Sequence, residues 1–269
     1  MDTGTLLVDD TRPGVAVVTL NRPERLNAMN HALVADLHAA LDRLAGHRDL
    51  RVVVLTGAGR AFCAGLDLKE GAAPPDGDGH GTPQSAMAVQ RHIATLVPRL
   101  RSMPVPVIAA VNGAASGGGM ALALACDIRV AAAGARFNVA FVKVGLSGCD
   151  IGVSWLLPRL VGASRAFELM LTGRFVDAAE AERVGLVSRV VADGECLGAA
   201  LEIAEEIAGN SPFGIRMTKE VMWSQLEVGS LTAGIDLENR TQILGSYTGD
   251  MREAVAAFVE KRPPRFEDR

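Results

Sequence analysis

Aromatic side chains are scarce in this sequence: they make up 4% of its 269 residues, with one tyrosine and two tryptophans. The core of such a chain is built from small side chains and close backbone approaches, and the chain is long enough to bury it without staples. Cysteine is equally thin. Cys63, Cys126, Cys149 and Cys196 form no CxxC pair and no zinc-ligand spacing, so neither a disulfide framework nor a metal site is expected, and scattered thiols fit a cytoplasmic protein. No charge sign dominates, since 27 Lys+Arg face 31 Asp+Glu for a net −4. Nucleic acid and anionic membranes are therefore not expected partners, and any anionic ligand must be held by a local basic cluster. The first residues carry neither a basic nor an apolar stretch, so no export signal is expected. The uncharged stretch 102–126 is long enough to span a bilayer. Pro104, Pro106, Asn112 and the glycines at 117–119 interrupt it, so it reads as strand, loop and buried helix.

What is present is an α/β pattern. Residues 14–20, GVAVVTL, form a β-branched run bounded by glycine and by Arg22-Pro23. Leu33, Leu37, Leu41 and Leu44 repeat at helical spacing, with Asn27 or Asn30 able to cap the start. Residues 51–55 and 107–111 are continuous apolar runs, the mark of strands covered on both faces. Segment 71–85 is rich in Gly, Pro and Asp and reads as a loop, followed by one helix over 86–100. Short strands are predicted at 128–131, 137–139 and 186–191. Helices are predicted at 164–171, 178–184, 196–208, 215–227, 232–247 and 251–261. Strand signals stop near Asn210-Ser211-Pro212, which divides an α/β core (1–209) from a helical region (210–269).

Two glycine-rich turns carry the chemistry. The first is AFCAGLDLK at 61–69, where Gly65 permits a tight turn with outward-facing amides. The second is VNGAASGGGM at 111–120, running into an apolar helix whose free N-terminal amides can hold a phosphate or a developing oxyanion. It matches neither GxGxxG nor the Gly-Lys-Ser/Thr ending of a P-loop.

In order and context these turns resemble the crotonase superfamily, the enoyl-CoA hydratases and isomerases. The resemblance rests also on NRPERLNAMN at 21–30, VVVLTGAGRAFCAGLDLKE at 52–70, PVPVIAAVNGAASGGGMALALACDIRVA at 104–131, the segment 157–191, and EKRPPRF near the end. It implies a spiral of ββα turns with a C-terminal helical region that builds trimers and then hexamers. It also implies an acyl-CoA thioester as ligand, with coenzyme A as part of the substrate and no prosthetic group. The thioester oxygen would lie between the amides of Leu66 and Gly118, where one preorganised donor is worth a factor of about 10²–10³. Arg22, Arg25, Lys69 and Lys261 are candidate cations for CoA, the last from a neighbouring subunit. Ala64, Asp67 and Leu68 are the further CoA-binding candidates, since the matching segment lines the adenine pocket in the family.

The sequence departs from the family where hydration needs it most. The first hydratase glutamate position holds Ala121, and the second, in FNVAF at 137–141, holds Phe141. Neither side chain can move a proton. An acid does stand at Asp150, in GLSGCDIG at 145–152, at the distance from the following LPRLVG where dienoyl-CoA isomerases carry one. The alternative is that Asp150 caps the helix starting near Gly152. Asn138, Glu70, His80 and His92 are weaker polar candidates, while Trp155 and Trp223 read as packing residues. Three readings stand at this stage: proton transfer or isomerisation through Asp150, Asp150 as a nucleophile on a CoA-activated ring, and a catalytically silent acyl-CoA-binding protein.

Overall fold

The β-branched runs dictate the centre of the molecule, whose computed structural model describes residues 2–71 and 83–267. A hairpin of β1 (Leu6–Arg12) and β2 (Val15–Leu20) leads into helix α1 (His31–Ala45), then strands β3 (Val52–Gly57) and β4 (Ala61–Cys63). Helices α2 (Pro83–Ala94) and α3 (Leu96–Arg101) precede β5 (Val107–Val111), β6 (Ala114–Ser116) and α4 (Gly118–Ala125). There follow β7 (Ile128–Ala132), β8 (Arg136–Asn138), α5 (Val153–Val161), α6 (Ala163–Thr172), β9 (Val176–Asp177), α7 (Ala178–Arg183) and β10 (Arg189–Val191). The rest is helical: α8 (Cys196–Ala208), α9 (Pro212–Gln225), α10 (Leu231–Ser246) and α11 (Gly249–Glu260).

Three successive turns have one plan. Each places a longer strand (β3, β5, β7) in a six-stranded sheet ordered β1-β2-β3-β5-β7-β10. The short strand that follows (β4, β6, β8) goes into a second sheet ordered β4-β6-β8-β9. Within both series neighbouring strands are parallel. This is the expected spiral of ββα turns. The apolar runs are explained by burial on both faces of the large sheet. Val52, Val54, Ile108, Ala110 and Val130 pack under Ala199, Ala200 and Ala204 of α8. Val53, Leu55, Val107, Ala109 and Val111 face the main core with Leu33, Leu37 and Leu41 of α1. Residues 102–126 form strand, short strand and a fully buried helix, and no described helix is long and apolar enough to cross a membrane.

Several details differ from the sequence reading. Helix α1 is capped by Asn30, whose side chain accepts the Leu33 amide. Asn27 is buried instead and donates to the carbonyls of Ala58 and Ala61. The single helix expected over 86–100 is two, parted at Thr95, because Pro98 has no amide to continue a helix but fits the first turn of a new one. The loop expected at 71–85 falls largely outside the described residues, as does His80; helix α2 already begins at Pro83. Strands β1, β4, β6 and β9 were not expected.

A buried cation, Lys219, helps to tie the C-terminal region to the core. Lys219 of α9 donates to the carbonyls of Leu100 and Val105 and lies 2.9 Å from Asp127 Oδ2. The other Asp127 oxygen accepts the Trp223 indole N–H at 2.7 Å. Burial pushes the Lys219 ammonium below its ordinary range, with Asp127 opposing that shift. Removing the cation leaves a largely buried carboxylate short of its counter-charge. Lys219→Met is expected to lose about 3 kcal/mol of unfolding free energy, read as a lower urea midpoint at unchanged m-value. An unchanged midpoint would show the ion pair to be dispensable.

Candidate active site

Strands β4 and β6 run parallel, with Ala61 beside Ala114 and Cys63 beside Ala115. Each ends in a glycine turn, so the register delivers both turns to the same level. They touch there. A Cβ placed on Gly65 would stand 2.9 Å from Ser116 O and 3.4 Å from Gly118 N. Gly65 has φ +96° and Gly117 φ +51°, backbone conformations that side chains disfavour. Gly119 answers a different need, since its Cβ would fall 2.0 Å from the Cys63 carbonyl oxygen, and only glycine lets α4 sit against β4.

The amides of Leu66 and Gly118 have no protein acceptor among the described residues. For Leu66 the reason is a one-residue parallel bridge to Met29. The Met29 amide donates to Gly65 O at 2.7 Å and the Asp67 amide to Met29 O at 2.9 Å. The N–H of residue 66, alternating with these, points the other way. Gly118 is the first residue of α4, whose opening amides have no intrahelical acceptor and stand at the positive end of the helix dipole. Both unpaired amides therefore lie on the two touching turns.

Their surroundings are apolar. The Met29 methyl lies 2.3 Å and the Ile151 methyl 3.4 Å from where a Cβ on Gly118 would be. The Phe141 ring comes within 3.5 Å of the corresponding point on Gly117. Ala121 is wholly buried one turn along α4. Thus Phe141 forms a wall beside the glycine turn, where the sequence comparison expected a carboxylate.

Asp150 is half-buried in the loop before α5. Its Oδ1 accepts the Gln90 side-chain amide of α2 at 2.5 Å and the Ile151 amide at 2.8 Å. It does not cap α5: the N-cap is Gly152 and the first helical amides receive no side-chain bond. The capping alternative is therefore set aside. The next residue, Ile151, has φ +34° and Gly152 φ +86°. A β-branched residue there stores strain on the order of 1–3 kcal/mol. That strained step presents Asp150 on one side and sets the Ile151 side chain against Gly118 on the other. Gln90 was missed by sequence reading, because nothing in the letters links a glutamine of an exposed helix to an acid 60 residues later.

The expected CoA contacts divide. Lys69 and Leu68 are exposed, Arg25 is partly exposed and 3.9 Å from Glu70, and Ala64 is half-buried. Lys261 is exposed just after α11, and no described hydrogen bond or ion pair joins it to residues 64–70. Arg22 and Asp67 are inside the protein, paired at 3.0 Å. Burial raises the Asp67 carboxyl, but the amides of Glu70 and Lys69 and the Arg22 guanidinium outweigh it, leaving Asp67 below the usual carboxylate range. His92 stacks on His38 at 4.6 Å, and burial together with His38 and His31 pushes its imidazole down. Asn138 donates to the Gly173 carbonyl, and its own main-chain oxygen accepts the Gly117 amide at 3.0 Å.

Comparison with known proteins bears on this geometry. Residues 10–269 match the family model described as enoyl-CoA hydratase/isomerase. The chain is 46% identical over 264 residues to "Probable enoyl-CoA hydratase EchA12" of Mycobacterium tuberculosis, covering 98% of this chain and 93% of the relative. It is 40% identical over 260 residues to the 1,2-epoxyphenylacetyl-CoA isomerase of Escherichia coli, covering 97% of each. A probable enoyl-CoA hydratase/isomerase from Mycobacterium abscessus superposes with a TM-score of 0.91 at 45% identity, over 98% of this chain and 99% of that one.

Proposed function

This chain belongs to the enoyl-CoA hydratase/isomerase family, and from that premise we propose that it is an acyl-CoA isomerase that moves a proton through an enolate instead of adding water. It is an enzyme of a family that acts on CoA thioesters. The single observation behind the finer reading is a juxtaposition. Two unpaired amides, Leu66 and Gly118, lie on touching turns, Asp150 stands in the loop whose next residue packs on Gly118, and Ala121 and Phe141 stand where the family resemblance puts the hydratase carboxylates.

Hydration needs one group to activate water and another to protonate carbon. Isomerisation needs one base that takes a proton at one carbon and returns it at another. Removing a proton beside the thioester builds negative charge on its oxygen, which the two amides stabilise. Asp150 carries the proton; Gln90 and the Ile151 amide orient its carboxylate. Phe141, Met29 and Ile151 keep water from the reacting carbons. Coenzyme A enters as part of the substrate, with Lys69, Arg25 and Lys261 as its cations and Ala64 and Leu68 at the adenine. The exposed Leu231, Tyr247 and Phe258, each more than 80% accessible, fit the contact face of a trimer or hexamer.

The test is the product. Incubated in deuterated water with 2-enoyl-, 3-enoyl- and 3,5-dienoyl-CoA, the protein is expected to shift a double bond and exchange carbon-bound protons without accumulating 3-hydroxyacyl-CoA. Rapid accumulation of the hydroxy product from 2-enoyl-CoA would overturn the reading in favour of hydration. Tight binding of every ester with neither exchange nor turnover would favour the silent binding protein.

A further inference from the structure

We propose that Arg22 is a positioning residue for the thioester oxygen: its buried guanidinium clamps loop 64–70 so that the Leu66 amide faces the Gly118 amide. The inference rests on the reading of these two amides as the anion site. In sequence Arg22 is an ordinary cation, expected to meet CoA. In the structure its side chain is 7% exposed and that of Asp67 is 5% exposed. A phosphate-binding arginine needs no such burial, and a buried charge is tolerated only when its hydrogen bonds are met. Here they are met. Nη1 donates to Ala28 O at 2.6 Å and Asp67 Oδ2 at 3.0 Å, and Nη2 donates to Glu70 Oε2 at 2.8 Å.

Two of the three acceptors flank the bridge that carries the amide in question. Asp67 follows Leu66 directly, and its second oxygen accepts the amides of Lys69 at 3.0 Å and Glu70 at 3.1 Å, closing the turn after the amide. Ala28 precedes Met29, the residue bridged to Leu66. Nη1 alone thus joins the segment before the bridge to the carboxylate after it, and Nη2 adds Glu70, a third acceptor that the single nitrogen of a lysine would have to share with the other two. The anchoring segment is itself fixed. Leu26 and Asn27 take left-handed conformations, with φ of 52° and 56°. Asn27 accepts the Arg22 amide at 2.9 Å while donating to Ala58 O and Ala61 O. The Ala64 amide donates to Leu26 O at 3.0 Å. Glu70 is shared with Asn30, the cap of α1, at 2.7 Å. These contacts together bear on the direction of one N–H, that of Leu66.

The experiment compares Arg22→Met, Arg22→Lys, Asp67→Asn and the double variant Arg22→Met/Asp67→Asn. One readout is kcat and KM on the CoA ester that the wild type turns over. The other is the ultraviolet band of acetoacetyl-CoA bound at saturation, which appears when the ligand loses its C2 proton and is held as the enolate. Misplacing the donor by about 1 Å is expected to lower kcat about 10²-fold with KM almost unchanged, and to abolish the enolate band while the ester still binds. Arg22→Lys is expected to recover only part of kcat, and the double variant to lose no more than Arg22→Met, because both substitutions release one clamp. A raised KM with kcat retained would overturn the proposal and return Arg22 to CoA binding. An enolate band persisting in folded Arg22→Met would also overturn it. If Arg22→Met does not fold, Arg22→Lys and Glu70→Gln, a half-exposed position, carry the same two readouts. A wild type that shows no enolate band would remove the anion site itself, and that failure is separate from one confined to the Arg22 variants.

Discussion

Asp150→Asn is expected to lower kcat by about 10²–10⁴-fold with little change in the affinity for CoA esters, the range for losing a positioned proton-transfer group. The substitution is nearly isosteric. Asparagine keeps an oxygen that accepts the Ile151 amide and the Gln90 side chain, so the loop, the strained Ile151-Gly152 step and the packing of Ile151 on Gly118 are all retained. What is lost is the lone pair that can take and return a proton. The anion site is untouched, so ester binding and the acetoacetyl-CoA enolate band report whether the site survived. The measurement is steady-state turnover of the best of the three unsaturated esters, together with deuterium exchange at the carbon next to the thioester. Undiminished turnover in Asp150→Asn would mean that another group moves the proton. Asp150 would then be a loop residue that happens to be charged.

The fold was legible where the chain itself supplies the reason. Residues 196–208 read as a helix and form α8 with those bounds, because an apolar face of small residues repeats along it. The runs at 51–55 and 107–111 read as doubly covered strands, and β3 and β5 are so, between α8 and the main core. Strand β1 was not seen because only Leu6 and Val8 of it face inward before the letters turn to Asp9, Asp10, Thr11 and Arg12. Strands β4, β6 and β9 have two or three residues each and exist only because a neighbour pairs with them. No local pattern can announce those.

The site divides in the same way. Both glycine turns were visible, since a chain favours glycine where φ is positive and needs it where backbones nearly touch. Ala121 and Phe141 stand out in the letters because the family resemblance puts a carboxylate at each of those positions. The burial of Arg22 was not visible, for a physical reason. Whether an arginine lies on the surface or under it depends on its partner, and Asp67 is 45 residues away. Asn27 and Asn30 show the same limit. Both are capping residues by type, and only the tertiary position of the Ala58 and Ala61 carbonyls decides which is buried.

The glycines also permit a sharper test of the anion site than removal of a side chain, because its donors are main-chain atoms. Gly65→Ala is expected to lower kcat about 10²–10³-fold, the loss of one preorganised donor. The added methyl would meet the Ser116 carbonyl oxygen at 2.9 Å, main chain that cannot swing aside, and alanine at φ +96° is strained whatever the space. The turn must move, and the Leu66 amide moves with it. Gly118→Ala adds the same methyl on the other side of the site, but its first obstacle is the Met29 methyl at 2.3 Å, the free end of a flexible side chain. Met29 can rotate away at a modest cost, and alanine is an excellent helix residue at the start of α4. The Gly118 amide keeps its direction, so Gly118→Ala is expected to lose much less kcat than Gly65→Ala and to alter the fit of the acyl chain through the displaced methionine. The two enzymes would be compared by kcat, by KM and by the enolate band, with circular dichroism as the control for folding. If the two glycines prove equally tolerant with both variants folded, convergence of the two amides is not what stabilises the developing charge. A loss confined to Gly65→Ala ties catalysis to the direction of the Leu66 N–H and not to the volume of the pocket.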